Sequence, residues 1–162
     1  MNPSIDNDKA FQDLMNNNNC FGCGPNNEKG LKIKSYWYDD DTTICKFKAS
    51  NHHCAAPTHF LNGGITSTLM DCHAIGSAIA LCYKNEHRMI GTGEDIFCVT
   101  GSLSVNYLRP VSIDSEITIR AEFGIVHEKK IAVKCKLYTD ETLCSEADVI
   151  AIRVPADWNQ KS

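Results

Sequence analysis

Hydrophobic and polar positions alternate along most of this chain, and the period of the alternation changes once. From Leu31 to Tyr38 the stretch LKIKSYWY puts Leu31, Ile33 and Ser35 on one side and the lysines on the other. A period of two predicts a half-buried strand. TTICKFKA, residues 42–49, predicts a second strand, antiparallel to the first through the turn Asp39–Asp41. Across 64–83 the period becomes helical. Ile65, Leu69, Cys72, Gly76, Ile79 and Tyr83 recur at three- and four-residue steps and form one buried stripe. The remainder is strand after strand. Val99, Gly101, Leu103, Val105 and Tyr107 alternate with polar neighbours, as do Ile117, Ile119, Ala121, Phe123 and Ile125. Ile131, Val133, Cys135 and Leu137 follow, and CSEADVIAIRV, residues 144–154, closes the series. Arg109-Pro110, Asp114 and Asp140 mark the turns. Before all of this, residues 6–16 predict a short helix with Phe11, Leu14 and Met15 on one side, ended by four asparagines and a Gly/Asn/Pro-rich loop.

One long helix beside a mostly antiparallel sheet, without repeats or βαβ alternation, is an α+β design in which the helix covers one sheet face. Several strands carry apolar residues on both faces, so a partner subunit is expected. The boundaries read as an N-terminal extension and Cys/Gly-rich loop over 1–29, a folded domain over 30–155 and a tail over 156–162. A chain of 162 residues, 43% hydrophobic, supports one such core. The net charge of -4 gives no basic footprint for nucleic acid. No apolar run approaches the roughly 20 residues that span a bilayer, so no membrane insertion is expected. The polar, acidic amino terminus lacks the basic-then-apolar order of a signal peptide. The nine cysteines are odd in number and scattered singly, which predicts reduced thiols and a cytoplasmic location.

Asp71 is the residue out of place. It lies about 120° from the apolar stripe, on a face shared with Ser67, Ala74 and Ala78. It is either an exposed flank residue or a carboxylate facing desolvation, which raises its pKa. At the helix start, Asn62 is a good N-cap. Gly63 and Gly64 leave room for a close approach to unpaired amides that could stabilise an oxyanion. Cys20 and Cys23 resemble half of a zinc knuckle, but the sequence offers no second pair, so no metal and no cofactor are expected. His59 and His73 fit hydrogen-bonded or solvated roles better than catalytic ones, and Cys54 with a histidine has no nucleophile signature.

Taken together, CFGCGPNNEKGLKIKSYW, HFLNGGITSTLMDCHAIGSA and TGSLSVNYLRPV resemble the hot-dog-fold acyl-CoA thioesterases of the phenylacetate-degradation (PaaI-like) type, over nearly the whole chain from Cys20 to Val154. The resemblance implies a hot-dog fold, a long central helix wrapped by a mostly antiparallel sheet. It implies hydrolysis of an acyl-CoA thioester. The family's catalytic acid falls on Asp71, its oxyanion amide on Gly63 with Gly64 beside it, and its assisting strand hydroxyl on Thr100. The motif histidine is Asn62 here, which forms hydrogen bonds but does not titrate near neutral pH. An asparagine found in some relatives is Ala56. Ser67 and His59 are candidate substrate contacts, and Arg109 and Arg88 are candidate partners of the CoA phosphates. The family also joins the helix start of one subunit to the acid of its partner, which implies a homodimer or a tetramer built of dimers. Two other readings share the scaffold: a non-catalytic acyl-CoA or acyl-carrier binding protein, and an acyl-thioester dehydratase. The second normally pairs a histidine with the acid, which Asn62 cannot replace.

Overall fold

The computed structural model describes residues 8–160. After one helical turn, α1 (Phe11–Leu14), come β1 (Ser35–Trp37) and β2 (Thr42–Lys48). The long helix α2 (Gly63–Asn85) follows, then β3 (Phe97–Tyr107), β4 (Glu116–His127), β5 (Lys130–Thr139) and β6 (Thr142–Val154). The strands form one antiparallel sheet in the order β1-β2-β4-β5-β6-β3. Hairpins join β1 to β2 and β4 through β5 to β6, while α2 and β3 intervene between the neighbours β2 and β4 and β3 takes the far edge beside β6. Hot-dog architecture is what this order describes: α2 lies along the sheet and packs against β3, β4, β5 and β6.

The alternating rows do what period two requires. Ile117, Ile119 and Ala121 on β4, Ile131, Val133, Cys135 and Leu137 on β5, and Ala147, Val149 and Ala151 on β6 are all buried under the helix. Asp140 and Glu141 both take positive φ and turn β5 into β6 as a two-residue hairpin. Two bulges break the rows. One between Phe123 and Val126 leaves Ile125 80% exposed, so the expected β4 row ends at Phe123. The other, between Thr100 and Ser102, shifts the β3 row; Leu103 and Tyr107 stay exposed, while Val105 packs against the core.

Three further expectations change. The first strand was expected over 31–38 but pairs with β2 only at Ser35–Trp37. Before it, the Leu31 and Ile33 amides donate to the Phe21 and Gly22 carbonyls, and Lys32 takes a positive φ, so the N-terminal loop captures that segment. The expected helix over 6–16 is a single turn, with residues 6 and 7 outside the described region. Finally, α2 is long and apolar enough to cross a membrane by length and composition, although no such run was expected. Its Leu69, Met70, Ala74, Ala78, Ile79 and Tyr83 are buried within this chain, as a core helix requires.

Candidate active site

The start of α2 is built as its sequence predicts. The Asn62 side-chain oxygen accepts from the Gly64 amide at 2.8 Å and the Ile65 amide at 3.2 Å. The cap leaves Gly63 N–H as the first-turn donor with no partner among the described residues. Tyr107 flanks it. Its hydroxyl donates to the Gly63 carbonyl at 2.8 Å and lies 2.6 Å from Ser67 Oγ. Since the tyrosine proton is committed to the carbonyl, Ser67 donates to Tyr107. Gly63, Tyr107 and Arg109 together line a surface cleft with Leu61, Thr66 and Leu108. One Arg109 nitrogen is held by the Leu143 carbonyl at 2.8 Å.

Two turns further along, Asp71 is half-buried and accepts a 2.6 Å hydrogen bond at Oδ1 from the Thr100 hydroxyl. Burial pushes this carboxyl above its ordinary value; the Thr100 hydrogen bond opposes the rise and the neighbouring Cys20 adds to it. Asp71 and Thr100 sit on the wall of a cavity of about 300 Å³. Its apolar lining comes from Ile75, Ile79, Ile96, Phe97 and Val99. The helix face around Asp71 differs from expectation. Ala74 and Ala78 are wholly buried against this chain's own core, while Gly64, Ser67, Thr68, Asp71 and Ile75 stay at least partly open along this face of α2.

Other candidates lie elsewhere. Arg88 sits beyond the far end of α2. Its guanidinium is taken by Glu86 at 2.6 and 2.9 Å, by the Thr92 carbonyl and by the Glu94 carbonyl at 3.1 Å, and it lies over the Tyr83 ring. The fold does not bring it to Asp71 or Gly63. His59 is exposed against Phe60 and lines neither cleft. Ala56 is likewise exposed in the loop before α2.

His73 is structural. Its Nδ1 lies 2.9 Å from Ser35 Oγ and its Nε2 3.3 Å from Thr43 Oγ1. Ser77 Oγ donates to the His73 carbonyl at 2.7 Å, which makes Thr43 the donor in the 2.6 Å Thr43–Ser77 contact. Thr43 must then accept from Nε2–H, and Ser35, which accepts from Gln12 Nε2 at 2.9 Å, donates to Nδ1. Every proton in this chain has one place, and the imidazole is neutral. Burial lowers its pKa to about 4.

Two contributors escaped the sequence reading. Tyr107 alternates with polar neighbours like the rest of its strand, and its place in the TGSLSVNYLRPV stretch of the family resemblance is the only hint of a site. Cys72 was counted as core. Its sulfur lies 3.7 Å from that of Cys20, and Cys20, Cys23 and Cys72 sulfurs all lie within 4.8 Å of one another. The absence of a second cysteine pair was the reason to expect no metal, and that reason overlooked a third thiol supplied by α2.

The sequence model of the thioesterase superfamily matches residues 58–145, from the loop before α2 into β6. The bovine (Bos taurus) protein acyl-coenzyme A thioesterase THEM4 is 26% identical over 118 residues, or 72% of this chain and 43% of that protein. The chain thus spans less than half the length of that curated relative. A solved thioesterase superfamily protein from Shewanella loihica PV-4 is 30% identical with a TM-score of 0.61, covering 76% of this chain and 91% of that one. The E. coli PaaI protein of the phenylacetic acid degradation operon is 12% identical with a TM-score of 0.58, covering 76% and 84%, a likeness of fold. With its helix lying along a six-stranded antiparallel sheet and more than half its length matched by the family, the chain belongs to the thioesterase superfamily and carries the hot-dog fold.

Proposed function

We propose that this protein hydrolyses an acyl-CoA thioester to the free acid and CoA, with Asp71 as the reacting carboxylate and the Gly63 amide as oxyanion donor. The observation that carries the reading is the 2.6 Å Thr100–Asp71 hydrogen bond on the wall of an apolar cavity. It fixes Oδ1 and leaves Oδ2 to act, while the isoleucines and Phe97 offer an apolar acyl group its surroundings. In the general-base route Oδ2 takes a proton from water, and the hydroxide oxygen bonds to the thioester carbon. The carbonyl electrons move to oxygen, where an N–H donor stabilises them. The intermediate collapses with cleavage of the C–S bond, and CoA leaves with the proton from Asp71. In the nucleophilic route Oδ2 bonds to the thioester carbon, the C–S bond breaks and CoA leaves as the thiolate, and water then cleaves the anhydride to the free acid and Asp71. Both routes use the same carboxylate.

Gly63 and Asp71 are separated by eight residues, roughly 12 Å along the helix axis at about 1.5 Å per residue. One thioester carbon cannot meet both from a single chain. The reading therefore includes a homodimer in which Gly63 of one copy faces Asp71 of the other, and a tetramer as a pair of such dimers. It is supported by β3, a long strand at the sheet edge whose last residue Tyr107 is 55% exposed, with Leu108 just after it 48% exposed. Arg109, beside Gly63, is suited to a CoA phosphate. All nine cysteines are free, which suits the cytoplasm as the place of action. Thiol release from a panel of acyl-CoAs tests the activity. Release that depends on Asp71 supports it, and binding of acyl-CoA without release by any member of the panel would instead make this a binding protein.

A further inference from the structure

The loop 18–24 is a tight turn that carries Cys20 and Cys23. Asn18 Nδ2 donates to the Cys23 sulfur at 3.7 Å, and Asn18 Oδ1 accepts from the Cys20 amide at 3.1 Å. The Gly24 amide closes the turn on the Cys20 carbonyl at 2.8 Å. A side chain at Gly24 would collide with the Cys20 amide at 2.4 Å, so the turn requires glycine there. A side-chain amide that donates to a sulfur stabilises negative charge on it. The loop then closes on α2. A Cβ at Gly22 would stand 2.2 Å from the Cys72 sulfur, so glycine lets that thiol reach the turn.

The spacing of the sulfurs selects among their uses. A disulfide needs about 2.05 Å between sulfurs. Two thiolates on a tetrahedral zinc with bonds of ~2.3 Å stand about 3.8 Å apart. Cys20 and Cys72 stand at 3.7 Å. We propose that Cys20, Cys23 and Cys72 form a three-thiolate site for zinc, which ties the N-terminal loop to α2 beside Asp71. All three cysteines line the same cavity as Asp71 and Thr100, so the fourth tetrahedral position is filled by water from that cavity. Binding releases thiol protons and closes the metal between a turn and a helix, so the ion becomes part of the cavity wall.

The site does not depend on the thioesterase reading, and its test does not use turnover. The full chain, purified under reducing conditions without chelator, is analysed for metal by mass spectrometry, then stripped and titrated with Co²⁺. The proposal expects one zinc per chain that survives dialysis. It also expects an intense sulfur-to-cobalt charge-transfer band on Co²⁺ addition. Both should be lost in Cys72→Ser and in Cys20→Ser, and both kept in Cys54→Ser, a cysteine remote from the cluster. Cys20 is exposed, so Cys20→Ser keeps the test valid should Cys72→Ser unfold. Zinc that dialyses away, retention of full zinc by Cys20→Ser, or a native Cys20–Cys72 disulfide seen as a mass loss of two hydrogens would overturn it.

Discussion

Acidification should destabilise this fold through His73. The imidazole is wholly buried, and its Nδ1 is the acceptor for a Ser35 hydroxyl that already accepts from Gln12. A proton on Nδ1 would face the Ser35 oxygen and leave the serine proton with nowhere to go. The folded state therefore holds the neutral form down to a pKa of about 4, against roughly 6.5 in the unfolded chain. Between those values the unfolded state binds the extra proton, so stability rises with pH. The contribution is complete above pH ~6.5 and is lost progressively as the pH falls towards 4. At pH 5 the unfolded chain gains a factor of about 30, so moving from pH 7 to 5 removes about 2 kcal/mol. For a chain of this size that lowers Tm by about 4–8 °C. Urea unfolding of wild type and His73→Asn at both pH values isolates the effect, since all other titrations cancel in the difference. The stability advantage of the wild type should shrink by about 2 kcal/mol at pH 5. Parallel pH dependence in the two proteins, or an imidazole that titrates near 6.5 in the folded protein by NMR, would refute the argument.

Other outcomes concern catalysis. Asp71→Asn keeps size but removes the base, and turnover should fall by at least ~10²-fold; wild-type rates in the folded variant would dismiss the assignment. Thr100→Val removes a charge-assisted hydrogen bond of about 1.5–3 kcal/mol, so turnover should fall by about 10- to 100-fold. Added to Asp71→Asn it should cost little more, and full additivity would separate the two residues. Gly63→Pro deletes the proposed oxyanion donor at a helix position that accepts proline. It should be inactive alone, yet mixing it with Asp71→Asn should restore some activity through shared sites. An active monomer by light scattering would exclude such sharing. Asn62→Ala should cost about 1 kcal/mol of stability through the lost cap, measured by thermal unfolding. Asn62→His should retain or raise activity.

The sequence by itself determined what depends on one segment and its own faces. Period two marked the β4, β5 and β6 rows, and the three-to-four period marked α2, because each pattern records which side of an element avoids water. Asn62, Gly63 and Asp71 were legible together because they share one helix, where spacing converts directly to distance and angle. What joins separate elements was decided only in three dimensions. Thr100 meets Asp71 beside the β3 bulge, and sequence separation alone does not encode that distance. Tyr107 reaches Gly63 from a strand whose alternation says which side a residue faces but not which group it meets. Ala74 and Ala78, grouped with Asp71 on the wheel, are wholly buried in the core, while Asp71 is only half-buried. Cys72 joins Cys20 and Cys23 because Gly22 lets a loop press against α2. Such contacts depend on sheet register, bulges and packing, which arise from the whole chain at once, whereas periodicity reports on a single element at a time.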